Sequence, residues 1–228
     1  RFLIKMGSNT DVGKVFNKFA SLYSEVSNQY TIERRYRRAA SLSKGRLLDV
    51  GGASGLLLSF LEGDIYPIVL DISYGMCIES KSNHGVDVIC ADAEKLPFSD
   101  DSFDTVVSLE MIYYLNNPLN FIIEVERILK QDGLLILSFY NSKLSFLVTL
   151  RELLRKLKLG NMFADDGNPN FTKLEDLYQY LENSPLKVIS INSIVLFPFK
   201  IFDRVNQILE KTFLGRYALF NIVVIGRK

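Results

Sequence analysis

Short, continuous apolar runs alternate with helix-periodic segments through the middle of the chain, and this alternation dominates its pattern. Leu47-Leu48-Asp49-Val50 reads as a buried strand ended by Gly51-Gly52, and Ser54 to Leu61 then follows a helical period that stops near Gly63. Ile65 to Leu70 is a second strand, Ser73 to Lys81 a helix, and Val86 to Cys90 a third strand. Phe103 to Leu109 is a fourth, Leu119 to Leu129 an amphipathic helix leading to Asp132-Gly133, and Leu134 to Phe139 a fifth. Strands and helices alternating at this spacing predict a doubly wound, mostly parallel α/β sheet with helices on both faces. The runs are continuous rather than alternating, as strands buried on both faces require.

The flanks read differently. Residues 14–41 form a polar, Tyr- and Arg-rich helical region, and 143–184 are helical with a Gly- and Asn-rich break. Leu186 to Phe197 and Leu219 to Ile225 read as a closing strand pair, with a helix over Lys200 to Thr212 between them. The expected organisation is one domain over 1–228: an N-terminal helical arm (1–44), a core (45–141), a helical insertion after the fifth strand (142–184) and the closing pair (185–228). The stretch Asn161 to Asn170 is either a lid or a surface loop.

Composition adds exclusions. With 228 residues, 48% apolar and 23% charged, the chain can bury a large core, and a net charge of +1 gives no overall pull toward nucleic acid or anionic membrane. Cys77, Cys90 and the single His84 supply neither a disulfide framework nor a metal-ligand set, so no metal is expected. His84 stands in a turn-like stretch, Ser82-Asn83-His84-Gly85, and is expected to face solvent. No run approaches the roughly 20 apolar residues of a transmembrane helix, and Lys5 interrupts Phe2-Leu3-Ile4, so a cytoplasmic setting is expected. Charge is unevenly placed: residues 1–46 carry +7, 47–110 carry −10 and the remainder +4. The acidic block coincides with the first four strands, whose carboxyl ends are where ligands of open α/β sheets bind. Such a mouth suits a cationic or hydroxyl-rich ligand better than a pyrophosphate.

Candidate chemistry concentrates at those strand ends. Asp49-Val50-Gly51-Gly52-Ala53-Ser54-Gly55 runs from strand to helix, where glycines let the backbone turn tightly and approach a ligand that a Cβ would obstruct. Asp71, twenty-two residues after Asp49, closes the second strand, where it can accept both hydroxyls of a ribose or cap the next helix, a role Ser73 could fill equally. Asp92, after the third strand, can accept from an exocyclic amine or stand as a solvated loop carboxylate. A nicotinamide-cofactor fingerprint would need G-x-G-x-x-G, which the order Gly51, Gly52, Gly55 does not supply.

This series resembles the class I S-adenosylmethionine-dependent methyltransferases, particularly the group that contains ubiquinone/menaquinone-biosynthesis and small-molecule methyltransferases. The similarity covers about residues 45–140. Asp49, Gly51, Gly52, Ala53 and Gly55 resemble the motif around the methionine part of the cofactor; Gly52 departs slightly from the usual spacing. Asp71 matches the acid on the ribose, Ile72 and Met76 the positions near the adenine, and Asp92 with Ala93 the adenine-edge pair; Leu109 closes the fourth strand beside them. Leu96-Pro97-Phe98-Ser99-Asp100-Asp101-Ser102-Phe103-Asp104 is similar to the family's approach to that strand, and Glu126 to Ile136 to its helix exit, with Gln131-Asp132 in place of Pro-Gly. The resemblance implies a seven-stranded Rossmann-like sheet, S-adenosylmethionine as cofactor and S-adenosylhomocysteine as product.

Leu109-Glu110-Met111-Ile112-Tyr113-Tyr114 lacks the Asn/Asp-Pro-Pro-Tyr/Phe sequence of amino-methylating DNA and glutamine enzymes, and no Pro-Cys nucleophile is present. Since the sulfonium arrives activated, the protein need supply only positioning and desolvation. Glu110 is the candidate catalytic residue, as orienter or base, or a rim carboxylate. Tyr113, Tyr114, Phe139, Tyr140 and Asn141 are expected at strand ends facing a small or medium organic acceptor, with Tyr23 and Tyr30 on the arm above it; core packing would account for the aromatics equally well. The run Arg34-Arg35-Tyr36-Arg37-Arg38 leaves room for an RNA acceptor, although a solvated helix face is the commoner use of such a run, and its members repel unless paired elsewhere. A methyltransferase-like partner subunit without turnover is the other rival, and the pattern leaves oligomeric state open.

Overall fold

A computed structural model describes residues 13–14, 16–17, 29–141, 174–182 and 184–227. Its frame is a seven-stranded sheet in the order β3-β2-β1-β4-β5-β7-β6. The strands are β1 (Gly45–Val50), β2 (Ile65–Asp71), β3 (Asp87–Cys90), β4 (Phe103–Leu109), β5 (Leu129–Tyr140), β6 (Leu186–Ile194) and β7 (Phe220–Arg227). The first five pair in parallel, whereas β7 runs antiparallel to both β5 and β6. Strand order reverses at β1, which has β2 on one side and β4 on the other, so a crevice opens beyond their carboxyl ends.

The side-chain alternation of each strand divides the core between two faces. Along β1, Leu48 and Val50 pack on one side with Phe121, Ile122 and Val125 of helix α3 (Pro118–Ile128). Leu47 goes to the other face with Val107, Ile136 and Ile222, under Ala39 and Ala40 of helix α1 (Gln29–Ala40). Each such fully buried aliphatic or phenyl side chain contributes about 1.5–3 kcal/mol. Capping residues set the helix limits. Ser73 Oγ accepts from Met76 N to open α2 (Tyr74–His84), and Gly85 closes it at φ 69°. Asn117 caps α3, and Pro118 occupies its first turn. Residues 174–181 form helix α4 (Leu174–Leu181), whose Leu177 and Leu181 join the α3 face; residues 142–173 of the 142–184 insertion lie outside the described residues.

Several expectations change in the structure. The period over 54–61 predicts a helix, but the chain forms only a five-residue 3-10 segment, Leu56–Phe60. Gly55 precedes it at φ 79°, a left-handed conformation through which a right-handed helix cannot extend backwards. Helix α2 runs through His84, which is half-buried beside Gly55 rather than set in a solvent-facing turn. Strand β5 begins at Leu129: the Asp132-Gly133 turn is absorbed as a bulge, with Asp132 at φ 58°, and the register passes from Phe103–Leu129 to Thr105–Leu134. Strand β6 stops at Ile194 rather than Phe197 because Val195 takes φ 63° and leaves the sheet.

Candidate active site

The turn after β1 is shaped by its hydrogen bonds. Gly51 N donates to Leu70 O (2.7 Å), fastening the turn to the neighbouring strand end. Gly51 has φ 69°, and a Cβ there would fall 2.5 Å from Met111 Cγ, so the position demands glycine in conformation and in space. Two residues on, Ala53 N donates to Asp71 Oδ2 (3.0 Å), and Ser73 N donates to Asp71 Oδ1 (2.8 Å). Asp71 thereby ties the glycine turn to the start of α2 while its carboxylate keeps further lone pairs for a ligand. Burial pushes its pKa up, against the lowering effect of these donors.

Beneath the turn lies Asp49, 2% exposed, whose Oδ2 has no hydrogen-bond partner. Burial, and then the charge of Asp71, push its carboxyl up to about 7. Gly52 backs onto it: a Cβ there would sit 2.6 Å from Asp49 Oδ2 and 2.9 Å from Val69 Cγ1. After β3, Asp92 Oδ1 accepts from Glu94 N (2.9 Å), which forms a tight turn at the third strand end. At the end of β4, Glu110 adopts φ 59°. Its Oε1 accepts from Ser138 Oγ (2.8 Å) and lies 3.2 Å from Arg35 Nη1 of α1.

These strand ends wall a cleft that opens to solvent. Gly51, Ala53, Asp71 and Ile72 form one wall; Asp92, Ala93, Leu109 and Glu110 form another. Phe16, Met111, Tyr114 and Leu115 make the remainder, with Phe16 and Tyr114 edge to face at 5.4 Å. Asn17 Oδ1 accepts from Ser73 Oγ (2.8 Å) and Gly75 N (2.7 Å), seating this part of the arm on the start of α2. The cleft thus combines two acids at successive strand ends with an aromatic and aliphatic cover.

Other expected residues fall elsewhere. Met76 is fully buried under α2, and Gly55 packs against Ser80 and His84, so neither lines the cleft. Tyr113 is turned into the core with Leu115 and Phe121. Asn141 is buried and donates its amide to Arg216 O (2.8 Å) and Ala218 O (2.9 Å), anchoring the chain before β7 rather than facing an acceptor. The Tyr140 side chain, Tyr23 and the 161–170 stretch lie outside the described residues. Tyr30 donates its hydroxyl to Asp203 Oδ1 (3.0 Å) instead of meeting the cleft. Leu70, Ala91, Met111 and Leu115 also line the cleft; the first three each adjoin an acid that the sequence marks, whereas nothing in the sequence marks Leu115 or Phe16.

The basic run is spent internally. Arg34 pairs with Glu210 (2.5 Å) and Asp203 (3.4 Å), Arg37 pairs with Glu33 (2.8 Å), and Arg38 donates to Asn192 Oδ1 (3.0 Å). Arg35 is buried, its guanidinium 4.1 Å above the Phe220 ring. A second network explains the motif before β4: Arg127 donates to Leu96 O, Phe98 O, Asp100 and Glu124, so one guanidinium clamps the 96–100 loop to α3.

The sequence pattern of the family described as "Methyltransferase domain" matches residues 48–137, the segment that builds these walls. An uncharacterized protein of Methanocaldococcus jannaschii is 29% identical over 203 residues, covering 86% of this chain and 91% of that one. The demethylmenaquinone methyltransferase of Renibacterium salmoninarum is 26% identical over 150 residues, 59% of this chain and 63% of that one. A chain of the complex between the Haloferax volcanii Trm112 methyltransferase activator and a methyltransferase superposes with a TM-score of 0.67 at 20% identity, covering 93% of this chain and 97% of that one. Over residues 48–137 the chain thus matches a methyltransferase domain, and the sheet that carries it has the Rossmann-like α/β fold of class I methyltransferases.

Proposed function

We propose that the chain is an active methyltransferase that moves the sulfonium methyl of S-adenosylmethionine by in-line displacement to a small or medium organic acceptor. The observation that carries this reading is the pairing of Asp71 and Asp92 at successive strand ends on the walls of one cleft whose turn has no room for a Cβ at Gly51. The residues present fit the cofactor: Asp71 offers acceptor capacity to vicinal hydroxyls, Asp92 to an amine, and the partnerless Oδ2 of Asp49 lies below the glycine turn as a latent negative charge. When bound, the cofactor supplies an electrophilic methyl group already activated by positive charge.

The chain's own contribution is geometric. Leu109, Met111 and Leu115 give the cleft an apolar lining, and Phe16 with Tyr114 narrows its cover. Excluding water and fixing the approach of two reactants are the effects a displacement of this kind draws on most. Of the roles open to Glu110 (orienter, base or rim carboxylate), its contacts favour an anchor: paired with Arg35 and accepting from Ser138 Oγ, it fixes the end of β4. Calorimetric titration with S-adenosylmethionine and S-adenosylhomocysteine, with NAD as control, tests the reading. Micromolar-range binding of the first two alone is expected. Folded, ligand-free protein that binds neither would point to the partner-subunit role instead, and stoichiometric copurification would then identify the partner.

A further inference from the structure

The connection between β6 and β7 presents its side chains the wrong way round for a water-facing element. It contains a 3-10 turn (Lys200–Phe202), helix α5 (Asp203–Leu209) and a second 3-10 turn (Phe213–Tyr217). Ile201, Arg204, Val205 and Ile208 share one face at helical spacing, with Ile201 86% and Ile208 66% exposed; Phe213, beyond the helix, is 71% exposed. The polar side turns inward: Asn206 is fully buried, and Asp203 and Glu210 face Arg34. An ordinary surface helix has the opposite arrangement.

This face is held rigidly. Asn206 Oδ1 accepts from Leu196 N (3.1 Å) and Phe197 N (2.9 Å), while its amide donates to Tyr30 Oη (2.8 Å) and Phe197 O (2.9 Å). Glu210 Oε1 accepts from Val195 N (2.7 Å), which holds the left-handed Val195 where the chain leaves β6. The apolar face is therefore displayed by buried polar contacts rather than left over from incomplete packing.

Charge and position give it an occupant. Lys200, Arg204, Lys211 and Arg216 are all exposed, whereas Asp203 and Glu210, the only acids between 197 and 217, are turned to Arg34. The outward surface is apolar with a cationic rim. Ile194 and Tyr140 both pair with Phe220, so the connection lies along the same edge of the sheet as the carboxyl ends that wall the cleft. Arg35, over Phe220 and beside Glu110, bridges the two.

We propose that the 195–219 connection docks on an anionic lipid bilayer, so that an acceptor dissolved in the membrane reaches the cleft along this edge; the acceptor clause rests on the methyltransferase reading, the docking clause does not. A bilayer surface accepts apolar side chains at its acyl boundary and basic ones at its headgroups. A second copy of the chain would set cation against cation. No described helix is long and apolar enough to cross a membrane, and the proposed attachment is peripheral.

Sedimentation of the full chain with phosphatidylglycerol–phosphatidylcholine vesicles, against pure phosphatidylcholine vesicles, tests this. Binding is expected to the mixed vesicles alone, and to weaken with added salt. The Ile201→Glu/Ile208→Glu double variant alters exposed side chains only and should lose at least about tenfold in vesicle binding, with calorimetric affinity for S-adenosylmethionine unchanged. Lys200→Glu/Arg204→Glu/Lys211→Glu should reduce binding to the mixed vesicles in the same way. Protein that stays in the supernatant, or an isoleucine variant that binds like the parent, overturns the docking. So does a parent dimer that ignores vesicles and dissociates in the isoleucine variant, which would make the surface a self-association site. Vesicle binding without cofactor binding would uphold the docking and overturn the methyltransferase reading alone.

Discussion

Arg35 Nη1 lies 3.2 Å from Glu110 Oε1, with the guanidinium stacked 4.1 Å above Phe220, so one side chain of α1 joins the end of β4 to the start of β7. The side chains are only 10% and 20% exposed, which places the pair between the surface and buried regimes. Arg35→Met should cost about 2 kcal/mol, between the roughly 3–5 of a fully buried pair and the 1 or less of an exposed one. Adding Glu110→Gln should recover part of that loss, because the stranded carboxylate goes with it. Urea denaturation of the two single variants and the double variant gives the coupling directly; additive losses would show that the pair is not coupled.

Gly51→Val should abolish S-adenosylmethionine binding while leaving a folded protein of lower stability. The added side chain meets Met111 at both Cβ and Cγ, inside the cleft, and must hold φ 69°, which costs about 1–2 kcal/mol for a residue with a Cβ. Asp71→Asn is the milder partner. Its carbonyl keeps one backbone donor, and cofactor affinity should fall about tenfold, the size of one charged hydrogen bond. Calorimetry of both variants beside a thermal melt separates binding from folding; unchanged affinity in both would remove the cofactor from this cleft.

Arg127→Ala should destabilise the protein by about 2 kcal/mol, since two backbone carbonyls and two carboxylates lose a shared donor. Glu124, whose pKa is lowered chiefly by Arg127, also accepts from Leu96 N (2.7 Å), so the loop would loosen on both sides. Hydrogen exchange at 96–102 should accelerate well before global unfolding. Protection as in the parent protein would show that packing of Phe98 on Phe103 at 4.9 Å is sufficient by itself.

The sheet was readable because β1, β2 and β4 are apolar on both faces, and that pattern survives any local turn chemistry. Where a single dihedral decides, the reading failed. Gly55 and Val195 both lie at positive φ, and neither the shortened 3-10 segment after β1 nor the early end of β6 leaves a mark in the periodicity. Strand-end position brought Asp71, Asp92 and Glu110 to the cleft, but it could not say that Tyr113 turns inward or that Asn141 is consumed by Arg216 O and Ala218 O. The pairing of the basic run was not legible for a related reason: the partners of Arg34 are Asp203 and Glu210, far along the chain, and only the tertiary fold brings them together.

Asp49 gives a pH signature of known sign. Its carboxyl is raised to about 7 by burial and by Asp71, against about 3.9 in an unfolded chain. Between those values the folded protein holds a proton that the unfolded chain has released, so this group's contribution to stability is complete below about pH 4 and is lost as the pH rises through about 7. The span corresponds to a penalty on the order of 2–4 kcal/mol at alkaline pH. Asp104 and Glu124 have lowered values and work in the opposite direction at acid pH, so the total curve mixes the effects. Asp49→Asn cannot titrate, and subtracting its denaturation midpoints from those of the parent isolates the group. The variant should gain on the parent steadily between about pH 4 and 7 and level off above that. A difference that stays flat across that range would mean that Asp49 is already ionised in the folded protein.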